Sequence, residues 1–557
     1  MSLNRSPSPA VRHGVGWPLL AALAAGALCV VTGVFVFANP LGGSDGPELN
    51  RYTEAIVGAP QRVNPLFVHF SDVDRDISSL VFSGLTRLDK DGTPVPDLAE
   101  DWEVSDDGLQ VTFNLRSGIS WHTGPALTSD DVLFTFGLLA DPTLPGDPEQ
   151  ATLWQSIDCT APDSLTVVCA LPEPYAPFLA YASIGILPRH VLESVTATGL
   201  AEDPFNRAPV GTGPYRLSQL NTDRAILRAN DEYHFGRPAI DEIEMLFYPD
   251  IATAAADILR GEAQGLLVDL SIDPADFQAL RAVDRFEAHS AGRSAYTSLY
   301  LNNTEAPLDE QPVRLAVSLA LDIDSILTSL VSGRGVRTDT PIVPGTWAFD
   351  DDIPQRPHDL GEARTVLEDA GWRLPADATV REKDGTELRL TLITDQDALR
   401  GAVADAIAGQ LADVGIETAV VRQPSNDLVS EYLIPRRYQA AIFGWDAGAD
   451  PDPYPAWHSS QALEGGRNLA GYTSDEADEI MEEARRTTDM ADRKALYEDF
   501  QRLFIEDMPS VPLFSPLYTY FVTDQVRGID AGVLFTPAAR FRNVIEWRLE
   551  RSQGIGG

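Results

Sequence analysis

Apolar positions in this chain follow two periods, and the change of period marks its elements. Residues 109–115 alternate apolar and polar, as a half-buried strand does. Thr128-Ser129-Asp130-Asp131 supplies an N-cap and first-turn negative charge for a helix over 132–140. Val313, Val317, Ala320 and Leu321 recur at helical spacing and predict an amphipathic helix. Asp359 with Glu362 reads as a capping box opening a helix that Gly371 closes. Residues 388–393 form a strand, 398–414 a helix ended by Gly415, and 416–421 a second strand. That order is a βαβ unit, so its strands are expected parallel with a right-handed crossover. A buried strand follows over 438–443, ending at Gly444-Trp445-Asp446-Ala447-Gly448-Ala449-Asp450-Pro451-Asp452-Pro453. Thr473 and Glu476 cap the next helix, and Leu496, Phe500, Leu503 and Phe504 stripe the one after. This half is α/β.

The start of the chain breaks the pattern. Arg5, Arg12 and His13 precede an apolar run over 17–38, long enough to span a bilayer as one helix with its start in the cytoplasm. Two readings stay open: an uncleaved anchor, which the length favours, or a secretory signal cut after Val36-Phe37-Ala38. Cys29 lies inside the run and lacks the small residue a lipid-modified cysteine needs before it. Either reading puts everything beyond the 39–48 linker outside the cytoplasm. The other two cysteines agree. Pro162-Asp163-Ser164 between two β-prone stretches is a hairpin turn, and pairing 161 with 167 sets Cys159 opposite Cys169 on one face. In an oxidising compartment a disulfide is expected there, against the alternative of two buried thiols.

Composition narrows the function. A chain of 557 residues with 44% hydrophobic content can fill about three or four compact lobes. Its net charge of −41 repels phosphate backbones and excludes nucleic acid as a partner. No Gly-x-Ser-x-Gly elbow, His-Glu-x-x-His helix or phosphate-binding Gly-x-x-x-x-Gly-Lys loop occurs. His122 and His458 each follow a tryptophan and read as packed rather than metal-ligating. The loop after residue 443 is the strongest local candidate. It sets Trp445 beside Asp446, Asp450 and Asp452, then Tyr454 and Trp457, which suits a cationic or amine-bearing ligand beyond a strand's carboxyl end.

A series of segments gives the chain a family resemblance. Asn64-Pro65-Leu66, Val81-Phe82-Ser83-Gly84-Leu85, 96–108, 113–122, Asp130-Asp131-Val132, 209–215, 312–316 and Gly444-Trp445 stand in order along it. With them the chain resembles the extracellular solute-binding proteins of family 5, the dipeptide-, oligopeptide- and nickel-binding components of ABC importers. The resemblance implies a periplasmic-binding-protein type II fold, two lobes closing on ligand, with an extra domain. By analogy the first lobe is 49–82, 204–290 and 506–550, the extra domain 83–203 and the second lobe 291–505, after a basic 1–16 segment and the 17–38 anchor or signal. It implies no catalysis, no cofactor and no metal, ABC permease subunits as partners, and a monomer.

Peptide-binding members carry an acid three positions after the Gly-Trp tryptophan, where it holds the ligand's α-ammonium. Here that position is Gly448, flanked by Asp446 and Asp450. Asp446 is the first candidate for the ammonium and Asp450 the second, with Trp445 as the aromatic wall. Tyr296 and Asn302 are candidates for further polar contacts, and Arg400 for a ligand carboxylate. Oligopeptides are favoured over dipeptides. The alternatives are a nickel chelate, heme or an oligosaccharide on the same scaffold, or a membrane-tethered hydrolase.

Overall fold

A computed structural model describes residues 49–146, 148–463 and 465–550. The expected anchor or signal over 17–38, the linker and Cys29 lie outside them, and no described helix is long and apolar enough to cross a membrane.

One thirteen-stranded sheet organises the body. Its main path runs Glu417–Gln423, Arg389–Asp395, Ala440–Asp446, Ala295–Leu301, Ser510–Thr523, Gly265–Val268, Arg51–Val57, Glu242–Tyr248, Arg224–Ala229 and Tyr215–Leu220. Ser510–Thr523 joins the two halves. Its early residues pair with Ala295–Leu301, and its later ones with Gly265–Val268 and Phe286–Arg293. Phe286–Arg293 leads through Ser294 directly into Ala295–Leu301, so a second strand makes the same crossing. Ala295–Leu301 and Ser510–Thr523 are covered on both faces, whereas Phe286–Arg293 is mostly exposed or half-buried. Every residue of Ala295–Leu301 is buried, and Ser510–Thr523 is buried except at half-buried Pro516 and Leu517.

Each half has its own core. Tyr52, Ile77, Phe113, Tyr215 and Trp547 belong to the first. Leu299, Val317, Leu390, Ile407 and Leu513 fill one face of the second half-sheet, while Tyr296, Tyr300, Trp457 and Phe500 fill a separate cluster. The βαβ unit stands as expected: Arg389–Asp395 and Glu417–Gln423 pair in parallel around the helix Ala398–Ala412, whose Val403, Ile407 and Leu411 are buried. Thr128 and Asp131 form a capping box at the helix Ser129–Ala140, and Asp359 caps Leu360–Asp369 by accepting from the Glu362 amide.

Two expected boundaries move. Ser474, not Thr473, caps the helix Asp475–Arg486, because its hydroxyl is the one placed to accept from the Ala477 amide. The strand expected to end at 443 runs on to Asp446, because Ala295–Leu301 offers it partners as far as Ala295↔Asp446. Trp445 and Asp446 are thus strand residues, with the register of a sheet behind them.

A smaller sheet orders Ala99–Val104, Gln110–Leu115, Thr166–Ala170 and Asp158–Asp163. Cys159 faces Cys169 across its last pair, and the two are joined by a disulfide. Phe113, Val167 and Cys169 carry this sheet into the first core.

A buried charged group lies in that core. Arg540 donates to Glu54 at 2.9 Å and to both oxygens of Asp76 at 2.9 and 2.7 Å, with all three side chains almost fully buried. Tyr52 and Tyr520 donate to the second Glu54 oxygen. Gly265 is required beside them, since a β-carbon there would overlap the Tyr52 hydroxyl.

Candidate ligand-binding site

Arg389–Asp395, Glu417–Gln423 and Ala440–Asp446 run parallel, so their carboxyl ends share one edge of the second half-sheet. In open α/β sheets that edge is where ligands bind. Here it faces the crossing strands. Asp446 lies opposite Ala295, one residue past Ser294, and Ser294 ties down the loop that follows. The Ala447 amide donates to the Ser294 carbonyl at 2.9 Å, and the Ser294 hydroxyl donates to the Gly448 carbonyl at 2.8 Å. The Gly448 amide turns back to Asp446 Oδ1 at 3.1 Å. Gly448 has φ +73°, a left-handed conformation that glycine adopts without strain.

Groups from both halves meet at this point. Tyr518, on the crossing strand Ser510–Thr523, is 8% exposed, and its hydroxyl bonds to no described residue. Burial pushes that hydroxyl up to about 12, and the carboxylates of Asp72, Asp269 and Asp446 add to the rise while Arg293 opposes it. Asp72 opens a helix, Asp72–Val81, that packs on the first core, and Asp269 follows Gly265–Val268. Arg293 ends the strand Phe286–Arg293, and its guanidinium sits 5.8 Å from the Tyr518 ring centre and 3.9 Å from Asp446 Oδ2. Trp445, half-buried, packs on the cluster around Tyr296 and Trp457.

Away from the crossing, the two halves also touch. The Ala176 amide donates to the Arg485 carbonyl at 2.7 Å, and the Trp347 amide to the Asp91 carbonyl at 3.0 Å. The Arg485 side chain bonds Asp452 at 2.8 Å, lies 3.6 Å from the Tyr454 ring centre and 5.7 Å from that of Tyr175. The loop of Trp445 is therefore held at both ends, by Ser294 on one side and by this clasp on the other.

The candidates from sequence separate sharply. Asp446 keeps a largely exposed carboxylate, 62% by side chain, with no short ion pair. Asp450 is buried and takes two hydrogen bonds from Arg493, at 2.8 and 2.6 Å. Burial alone would lower the Arg493 guanidinium, but Asp450 outweighs it and the net displacement is upward. Asn302 is fully buried and donates to the Arg436 and Tyr438 carbonyls while Thr304 donates to its oxygen. Tyr296 is 1% exposed and accepts from the Trp457 indole at 3.2 Å. Arg400 donates twice to Asp395, at 2.9 and 2.6 Å, and holds that carboxyl below its usual range even though burial pushes it up. The structure thus brings Trp445 and Asp446 to the crossing and binds the other four into protein contacts.

Arg293, Tyr518, Asp72 and Asp269 escaped the sequence reading. Arg293 had one usable signal, a charged residue directly before the apolar run 295–301; the rest depend on which strands cross. His122 and His458 behave as packed groups. His122 accepts from the Gly211 amide through Nδ1 at 3.2 Å and bonds the Gly213 carbonyl through Nε2 at 3.1 Å. Burial lowers it to about 4. Among the described residues, no group of three or more His, Cys, Asp or Glu side chains is placed to hold a metal ion.

Comparison with known proteins adds the context. Residues 93–465 match the model described as bacterial extracellular solute-binding proteins, family 5 Middle. The chain is 27% identical over 504 residues to the oligopeptide-binding protein AppA of Bacillus subtilis, covering 89% of this chain and 91% of that one. It is 30% identical over 469 residues to the probable di/tripeptide-binding protein 5 of Pseudomonas aeruginosa, covering 78% and 84%. Among solved structures, NikZ from Campylobacter jejuni in complex with Ni(L-His) matches with a TM-score of 0.68 at 26% identity, covering 90% of this chain and 99% of that one. AppA from Bacillus subtilis in complex with a nonapeptide matches with a TM-score of 0.66 at 26% identity over the same shares.

Proposed function

The chain belongs to the bacterial extracellular solute-binding proteins of family 5, and on that premise we propose that it captures peptides outside the cytoplasm and passes them to the permease of an ABC importer. Its mixed α/β body matches the periplasmic-binding-protein type II structures, and its relatives are binding proteins rather than enzymes. The division into a discontinuous first lobe, an extra domain over 83–203 and a second lobe over 291–505 is part of this proposal, as are the 17–38 anchor and the hinge at the crossing strands.

One observation carries the reading: of the loop acids singled out from sequence, Asp446 alone keeps an exposed carboxylate, beside Trp445 and at the strand edge that faces the crossing. An ammonium group entering a closed cleft loses its water and needs such a partner. Tyr296, Asn302, Asp450 and Arg400 then act behind the site, holding its walls rather than the ligand. The family likeness to a protein solved with Ni(L-His) supports a second reading, a non-peptide solute on the same scaffold.

Native mass spectrometry of the purified protein separates the two: a ladder of peptide masses is expected, and one discrete non-peptide mass would favour the second reading. Calorimetry then tests the site. Asp446→Asn should weaken a free-amine peptide about a hundredfold or more, and N-acetylation should do the same to the wild type. Unchanged affinity after acetylation would remove Asp446 from this role.

A further inference from the structure

We propose that the loop 172–177 is a latch: it docks on the end of the helix Asp475–Arg486 and sets how far the two halves stand apart, independently of any contact with ligand. The inference rests on the hinge reading given above.

Residues 83–203 belong with the first half. Phe113, Val167 and Phe178 share one core with Tyr52 and Tyr215, and the Asp97 carboxylate lies 2.7 Å from His234 Nε2. Toward the second half the contact is of another kind. Among the described residues, no core takes in apolar side chains from both 83–203 and 291–505. The two regions meet through backbone hydrogen bonds, Ala176 to Arg485 and Trp347 to Asp91, and through the Arg485 guanidinium, 5.7 Å from the Tyr175 ring centre. A seam that is small and polar parts without opening a core, so motion between its two sides is expected.

Both sides of the seam are prepared for docking. Pro172, Pro174 and Pro177 fix their own backbone angles and carry no N–H, and the buried Leu171 and Phe178 hold the loop at its ends. The Phe178 amide donates to the Tyr175 carbonyl at 3.1 Å and closes the turn. The loop thus has few donors, and that of Ala176 is directed at the second half. There it meets the Arg485 carbonyl, in the last turn of its helix, where carbonyls have no donor within the helix. A loop already held in shape loses little conformational freedom when it docks. The Arg485 side chain also holds Asp452, in the segment that follows Trp445. Docking of the loop 172–177 and fixing of the candidate ligand loop therefore share one residue.

Rotation about the crossing strands, the way lobes part in a hinge, separates Ala176 from Arg485 and Asp91 from Trp347. The latch adds the same increment to the closed state whatever the ligand is, and affinity follows the closed population.

Electron–electron double resonance on the full-length protein in detergent measures this directly. Spin labels go on Ser194 and Glu479, exposed positions on the two sides of the seam, in a Cys29→Ser background; Cys159 and Cys169 are already paired. Without added peptide, Tyr175→Ala and Ala176→Pro should each shift the ratio of short to long separations about five- to tenfold toward the long one. Tyr175→Phe, which keeps the ring, should match the wild type. Saturating trialanine or hexaalanine should restore the short separation, and calorimetry should show an affinity loss of at most the same factor, equal for the two peptides. Identical peptide-free distributions in the wild type and both variants would overturn the latch. An affinity loss confined to one peptide, with peptide-free separations unchanged, would make the loop a ligand contact and overturn it too. If neither peptide binds and the variants still shift the peptide-free separation, the latch stands and the peptide reading falls.

Discussion

Asp446 ends a strand and Asp450 lies four residues on in the loop that follows, and their surroundings could hardly differ more. Asp450 is enclosed with Arg493, which also donates to the Ala484 carbonyl and the Tyr497 hydroxyl, so every strong donor near it is taken up by protein. Asp446 has a single local hydrogen bond, from the Gly448 amide, and an arginine standing off at 3.9 Å. The same contrast separates Arg400, closed onto Asp395, from Arg293, which stands 3.9 Å from Asp446. The lesson is that residue type and loop position do not identify a ligand contact. Unmet hydrogen-bonding capacity at the right edge does.

The largest effect that could break this comparison is on stability at the enclosed end. Asp450→Asn leaves the Arg493 charge buried without its counterion, and should cost about 3–5 kcal/mol in denaturant unfolding. A loss below about 1 kcal/mol would mean that Asp450 is not structural and is free to serve the ligand. His122 offers a second satisfied group, read by pH. Its folded pKa, about 4, lies below the ordinary imidazole value, so the fold favours the neutral ring. The stability it contributes is present above about pH 6.5 and is lost as pH falls through 4. Between pH 7 and pH 4 the wild type should lose about 2–3 kcal/mol more than His122→Gln does, measured by urea unfolding at each pH. Equal losses would place the ring in water. The smallest expected effect sits at the open end: Asp446→Asn should shift unfolding by no more than about 0.5 kcal/mol while weakening the peptide as above. A large loss of stability would put Asp446 in the same class as Asp450.

Sequence reasoning worked where structure is local. The βαβ unit over 388–421 follows from apolar period and Gly415, and the Thr128–Asp131 cap from residue types three apart. The ordered family segments carried the fold as a whole. What it could not supply was the partner of each polar group. Arg493 lies 43 residues beyond Asp450, and no period or spacing links them. Asn302 looked like an available amide because its acceptors, the Arg436 and Tyr438 carbonyls, come from the distant segment that leads into the strand Ala440–Asp446. The two residue pairs that place Trp445 and Asp446 within the strand depend on Ala295 and Tyr296, some 150 residues earlier. Arg293 and Tyr518 became visible only once the two crossing strands were known to be neighbours.

The buried group around Arg540 also has a consequence for the order of synthesis. Glu54 lies on the first described strand, yet its counterion is 486 residues downstream. Until Arg540 has been made, packing Glu54 into the first core would bury a bare carboxylate, at a cost of several kcal/mol. The strand Ser510–Thr523, on which both half-sheets pair, is also made nearly last. Neither half can therefore close while the ribosome is still adding its final tenth of the chain, and contacts of such long range form slowly afterwards. A nascent chain that stays open this long is not committed to its finished shape until its last long strand has been made.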